Sequence, residues 1–334
     1  MSQSRENVSF AVGSMATDAH RSRRMRFGLT TALPRAAAEA RDFARAVEAA
    51  GFDVLTFADH LGPIAAPFAG ATAAGVVTDS LHVGTLVLNN DFRYPVETAR
   101  EAASIATATG GRFELGIGAG HMKSEYDAAG LPFDRGEVRV SRLEESARLI
   151  RALLDGEPVD FAGRHYTMHS DAGSLVATPQ QRVPMLVGGN GTRVLQLAGR
   201  MADAVGFAGI THNHDATQVR LTHFGPSGLE DRIAVVRDAA GERFDQIELN
   251  ALIQAVVYTK DRAAAAEELA EALCVAADNL LDSPFILLGT HDQMAEMLTE
   301  RRQRFGISYW TVFDELPGRA TAMHDMAKVI ALLR

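Results

Sequence analysis

The stretch MLVGGNGTRVLQLAGRMADAVGF, Met185 to Phe207, decides the fold. It reads as a buried apolar strand, a glycine turn, an amphipathic helix and the start of another strand, the unit from which parallel α/β sheets are built. Its glycines do not make the dinucleotide fingerprint G-x-G-x-x-G. That pattern needs a third glycine three residues after the second, so that helix and strand can pack closely. Here Gly189 and Gly191 are followed by Val194. The fingerprint also opens the first βαβ unit of a nucleotide domain, whereas this turn lies past the middle of a 334-residue chain. A plain Rossmann reading is therefore disfavoured.

Outward from this unit the same alternation fills the chain. Short apolar runs at 26–31, 54–59, 81–88, 113–119, 184–189, 204–209, 247–259 and 307–313 are separated by helical patterns. Phe43, Val47 and Ala50 share one helical face, as do Val96, Ala99, Ala103 and Ala106, and Leu143, Ala147, Ile150 and Leu154. Pro95 suits a first helical position, and Asp134 is a candidate N-cap for the fourth helix. Eight strands with outer helices predict α/β architecture as a single (β/α)8 TIM barrel, although a doubly wound sheet gives a similar local pattern. The connection from 156 to 183 carries VDFAGRHYTM, read as a hairpin inserted before strand five and expected to border the pocket as a partly mobile cover, with His165 on the surface.

Composition narrows the function. With 42 acidic against 33 basic residues the net charge is −9, and basic runs such as RSRR at 21–24 are short, so a nucleic-acid partner is not expected. The single Cys274 excludes an intrachain disulfide and reads as a buried thiol on a helical face with Leu269, Leu273 and Leu280. No apolar run approaches the ~20 residues of a membrane span. Residues 1–24 lack a signal-peptide pattern and read as a flexible N-terminal extension, with the barrel domain expected over 25–334 and a cytoplasmic location.

In a barrel, chemistry belongs at the C-terminal ends of the strands. Strand two ends in Asp59-His60, strand three in Asn89-Asn90, strand four in GAGHMKSE, strand five in GGNGTR and strand six in GITHNH. An imidazole exchanges a proton near neutral pH, which makes His60 a candidate acid or base that Asp59 could orient or charge; a histidine bonded to a loop carbonyl is the plain alternative. In the strand-five turn, Gly188, Gly189 and Gly191 let a ligand approach the backbone at a helix N-terminus, where free N–H groups favour an anion. Asn190 can adopt positive φ or donate its amide there, and Arg193 adds charge. His121, Lys123 and Glu125 contact a ligand or form a solvated loop. His212 and His214 have no third well-placed ligand, so no metal is expected.

These pieces together resemble a family. GFDVLTFADH (51–60), VGTLVLNNDFRYPVETAREAASIATATGGRFELGIGAG (83–120), PMLVGGNGTRVLQLAGRMADAVGF and RFGISYWTVF (304–313) resemble, in order, the luciferase-like superfamily of flavin- and deazaflavin-dependent barrels, particularly its oxidoreductases that use coenzyme F420. The resemblance implies a cofactor ring across the barrel mouth, with Asp59 and His60 beside it, Thr85 and Leu86 under it and Gly118 to His121 along its edge. It implies a non-proline cis peptide near Gly84 to Leu86, and a cofactor phosphate on Gly188, Gly189, Asn190, Gly191 and Arg193. The implied activity is hydride transfer between F420 and a small organic substrate, with His60 handling the proton. The alternatives are an FMN-dependent monooxygenase using reduced flavin and O2, and a non-catalytic flavin-binding barrel. Homodimers are common in the family. The sugar-phosphate dehydrogenases among these enzymes carry a glutamate where this chain has His121, so a sugar-phosphate substrate is not expected.

Overall fold

The computed structural model describes residues 16–32, 36–212, 219–273, 275–314 and 321–334. Each of the eight apolar runs contains one barrel strand: β1 Arg26–Thr31, β2 Val54–Phe57, β3 His82–Thr85, β4 Phe113–Gly118, β5 Met185–Gly188, β6 Ala204–Phe207, β7 Glu248–Ile253 and β8 Tyr309–Phe313. All neighbours are parallel, in the order β3-β2-β1-β8-β7-β6-β5-β4. The pairing of Val83 with Phe113 and of Gly84 with Glu114 joins β3 to β4. That last pairing closes the sheet and rules out the doubly wound alternative. The strands are apolar on both faces because one side meets the interior and the other the helices.

The N-terminal end of the barrel is closed by charge. Arg26 donates to Glu114 and, at 2.7 Å, to Glu248, while its guanidinium lies 4.8 Å above the Tyr309 ring. Burial pushes the Glu114 carboxyl up, but the guanidinium beside it and His82 outweigh this and hold it below its usual range. All these groups sit at strand beginnings, the end of a barrel associated with stability.

Several expectations need correction. The run 247–259 is two strands: the chain leaves the barrel at Gln254, whose amide donates to the Ala208 and Leu252 carbonyls, and Ala255–Tyr258 then pairs with Ile286–Gly289. Within the segment 1–24, expected to be flexible, residues 16–24 are described and pack on the barrel. A helix Asp18–Ser22, capped by Thr17, buries His20 against the Phe244 ring and the Ile247 carbonyl, 3.1 Å away, and Arg23 caps the carbonyls of Asp245 and Gln246. Those carbonyls precede β7 and need donors, which this helix supplies. Residues 1–15 lie outside the described residues.

Pro95 does open its helix, Pro95–Ala108. Asp134 does not cap: the helix Gly136–Leu154 has Arg135 at its N-cap, and the Asp134 carboxylate is taken by Arg142. The inserted hairpin exists, Val159–Ala162 against Thr167–Ser170. Its tip, however, is pinned to the flank of the helix Gly136–Leu154. Glu145 accepts the backbone N–H groups of Arg164, His165 and Tyr166 at 2.8, 2.8 and 3.1 Å, and the buried Tyr166 stands edge-on to Tyr94 at 5.3 Å. His165 is half-buried beside Ser141. Cys274 and His214 fall outside the described residues, and the His212 side chain is also not described. Among the described residues no helix is long and apolar enough to cross a membrane.

Candidate active site

The floor of the barrel mouth is made by a turn folded inward after β3. A Cβ on Gly116 would come within 2.0 Å of the Thr85 carbonyl, one on Gly118 within 2.8 Å of a Val87 methyl, and one on Gly188 within 3.0 Å of the other. Only glycine in the walls admits this wedge. The cis peptide is Leu86–Val87, one residue beyond the stretch the resemblance indicated. Thr85 braces the wedge: its hydroxyl donates to the Gly116 carbonyl at 2.8 Å and accepts from the Gly116 N–H at 2.9 Å. Leu86 and Val87 pack on Val54, Leu186, Ala204 and Tyr309 in the interior. Thr85 and Leu86 thus form the base of the mouth, with the Thr85 hydroxyl engaged inside the wall.

Asp59 does not orient His60. Its carboxylate is buried and receives the Asn89 N–H at 2.9 Å and both Arg93 terminal nitrogens at 2.5 and 3.0 Å. It ties the end of β2 to the loop after β3, and Arg93 in turn lies 5.3 Å over the Phe68 ring.

The partner of His60 is Glu125. Nδ1 of His60 stands 2.7 Å from Oε1 of Glu125, with the histidine side chain 38% exposed and the glutamate 9%. His121 presents itself edge-on to His60, ring centres 5.6 Å apart and planes at 86°. Glu125 lies on the short helix Lys123–Ala129, which the chain forms directly after the β4 loop. That helix is fixed by its next residue: the Tyr126 hydroxyl donates to Asn89 Oδ1 and Asp91 Oδ2, each at 3.0 Å. Burial first, and then the Asp91 charge, push the Tyr126 phenol well above its ordinary range, so it stays a donor. Lys123 pairs with Asp127 at 2.5 Å along its own helix.

The turn after β5 leads into the helix Thr192–Met201, whose N-cap Gly191 supplies no side-chain cap. Its first N–H groups therefore lack intrahelical partners and remain donors for an anion. The surrounding side chains are committed elsewhere. The Asn190 amide donates to the Ile210 carbonyl, and its backbone is not among the positive-φ residues. Arg193 is exposed and reaches the Glu137 carbonyl at 3.3 Å. Gly189 is required for packing, since a Cβ would approach Val194 within 2.4 Å, whereas a Cβ on Gly191 meets nothing within 4 Å.

The structure therefore brings His60 to His121, and joins Gly118 and Gly188 through Val87. Nothing local in the sequence marks Glu125 as the partner of His60. The two residues are 65 positions apart, and only closure of the barrel makes them neighbours.

The fold and this mouth define a (β/α)8 barrel with a histidine held by a buried carboxylate at one strand end and a helix N-terminus without a side-chain cap at another. The chain belongs to the luciferase-like monooxygenase family, whose model matches residues 21–306. An F420-dependent glucose-6-phosphate dehydrogenase of Nakamurella multipartita is 33% identical over 220 residues, 63% of this chain and 61% of that protein. The chain thus spans less than two thirds of that relative's length. Among solved structures, an F420-dependent secondary alcohol dehydrogenase in complex with an F420–acetone adduct is similar in fold, with TM-score 0.73 and 20% identity over 93% of this chain and all (100%) of that one. A monooxygenase from Streptomyces bottropensis is similar too, with TM-score 0.70 and 18% identity over 92% of this chain and 97% of that one.

Proposed function

We propose that this protein is an F420-dependent oxidoreductase that moves a hydride between the deazaflavin and a small organic substrate. The observation that carries the reading is the half-exposed His60 held at 2.7 Å by a buried carboxylate at the barrel mouth. That the relative and the alcohol dehydrogenase fold neighbour are F420-dependent enzymes supports the choice of cofactor. When bound, the deazaflavin supplies the hydride acceptor or donor.

The chain's own groups fit such a cofactor. The uncapped N-terminus after Gly191 offers donors to a phosphate, and the open space at Gly191 lets it approach. The wedge of Thr85 to Val87 gives a ring an apolar floor. His60 takes the proton of a carbinol as the hydride leaves, or returns it to a carbonyl in the reverse direction. His121, standing where the sugar-phosphate dehydrogenases have a glutamate, favours a substrate other than glucose 6-phosphate.

The test is turnover with F420 and its reduced form against panels of secondary alcohols, carbonyl compounds and glucose 6-phosphate. F420-dependent turnover of an alcohol or carbonyl substrate supports the reading. Oxygen consumption with reduced FMN and no reaction with F420 would replace it with the monooxygenase.

A further inference from the structure

We propose that Glu125 is a positioning residue for His60: it fixes the imidazole in the form protonated at Nδ1, so that Nε2 is the atom that exchanges a proton with substrate. This rests on the reading of His60 given above. An ionised carboxylate only accepts hydrogen bonds, so at 2.7 Å the proton between the two groups belongs to Nδ1. The neutral ring then carries its lone pair on Nε2, and among the described residues no hydrogen bond engages that nitrogen.

The burial of the pair is unequal, and that asymmetry points to function. A surface ion pair contributes little to stability, and a carboxylate taken out of water costs the fold unless it is well bonded. Glu125 is nevertheless 9% exposed, and among the described residues His60 is the only group bonded to its carboxylate. Its helix is locked by Tyr126 onto Asn89 and Asp91, so the carboxylate is held in place before any ligand arrives. The other groups around His60 do not compete for the same role. Asp59 is neutralised by Arg93, Lys123 by Asp127, and His121 meets the ring edge-on.

In oxidation of a carbinol, for which the bound deazaflavin would supply the hydride acceptor, Nε2 of His60 would take the O–H proton, leaving a carbonyl and an imidazolium. Glu125 stabilises that imidazolium through the bond already made at Nδ1. In reduction the same proton returns from Nε2 to the new alkoxide.

The test combines the Glu125→Gln and Glu125→Ala variants of the full chain with nitrogen NMR of the His60 ring, recorded above neutral pH with and without F420. Wild type should carry the ring proton on Nδ1. Glu125→Gln keeps an oxygen acceptor and should retain that tautomer, while Glu125→Ala should shift the population toward Nε2–H. In turnover, kcat should fall about 10-fold in the glutamine variant and about 10²-fold in the alanine variant, with KM changed less than threefold. A wild-type ring protonated at Nε2, or an alanine variant with unchanged tautomer, overturns the proposal; so does an alanine variant that keeps wild-type kcat. The NMR arm needs no turnover, so failure of F420 to bind would overturn the proposed function while leaving this inference to be decided by the tautomer.

Discussion

Asp59 and Arg93 form a two-pronged ion pair at the barrel mouth, with the carboxylate 3% exposed and the guanidinium 23%. The pair joins the end of one strand to the loop after the next, and the backbone of Asn89 completes it. Removing one member leaves a buried charge without its counterpart. Arg93→Leu should therefore destabilise the protein by about 3–5 kcal/mol, and the double variant Asp59→Asn/Arg93→Leu by less than the sum of the single changes. Urea unfolding of the three variants measures this; additive losses would mean the pair contributes nothing as a pair.

His60→Ala should lower turnover about 10²-fold or more, the scale of losing an acid or base, with cofactor affinity nearly unchanged. Steady-state kinetics and cofactor titration on the same preparation separate the two effects. Wild-type turnover in the variant would take His60 out of the chemistry.

The glycine turn after β5 holds one glycine that packing requires, Gly189, and one that faces open space, Gly191. Gly189→Ala forces a methyl against Val194, and should cost about 1–3 kcal/mol by overpacking. Gly191→Asp meets open space, so its thermal unfolding should stay near wild type while a negative charge at the helix N-terminus weakens cofactor binding roughly 10- to 10³-fold. F420 stripped of its phosphate should lose little further in the variant. Equal losses with and without the phosphate would mean distortion of the turn instead of repulsion.

The hairpin anchor should be pH-dependent. Burial pushes the Glu145 carboxyl up, but three backbone N–H bonds from the hairpin tip outweigh it and hold the group below its ordinary range. A depressed carboxylate contributes stability above its unfolded pKa and loses it as pH falls through the folded value. The stability gap between wild type and Glu145→Ala should thus be constant above about pH 5 and shrink below about pH 4. Denaturant melts at stepped pH check it; a gap that widens in acid contradicts the assignment.

What the sequence made legible follows from range. The eight strand runs are contiguous and apolar on both faces, so each announces itself locally, as does Pro95 at its helix start. The pairing of His60 with Glu125 has no local signature, because it spans two strands and their loops. Asp59 is illegible for the same reason: adjacency in the chain suggests His60, while the carboxylate turns instead to Arg93, 34 positions on. The strand Ile286–Gly289 is a four-residue run outside the barrel repeat, too short to stand out from the flanking helical patterns. Asn190 has the residue type of an anion donor, but its amide is claimed by a carbonyl from the next strand's loop, a contact only the closed barrel reveals.

The central claim, that the mouth holds a deazaflavin, is tested most directly by titrating the purified protein with F420, FMN and FAD and following fluorescence. The account predicts saturable binding of F420 at least tenfold tighter than of FMN, a difference of about 1.4 kcal/mol. Preference for FMN by the same margin would contradict it.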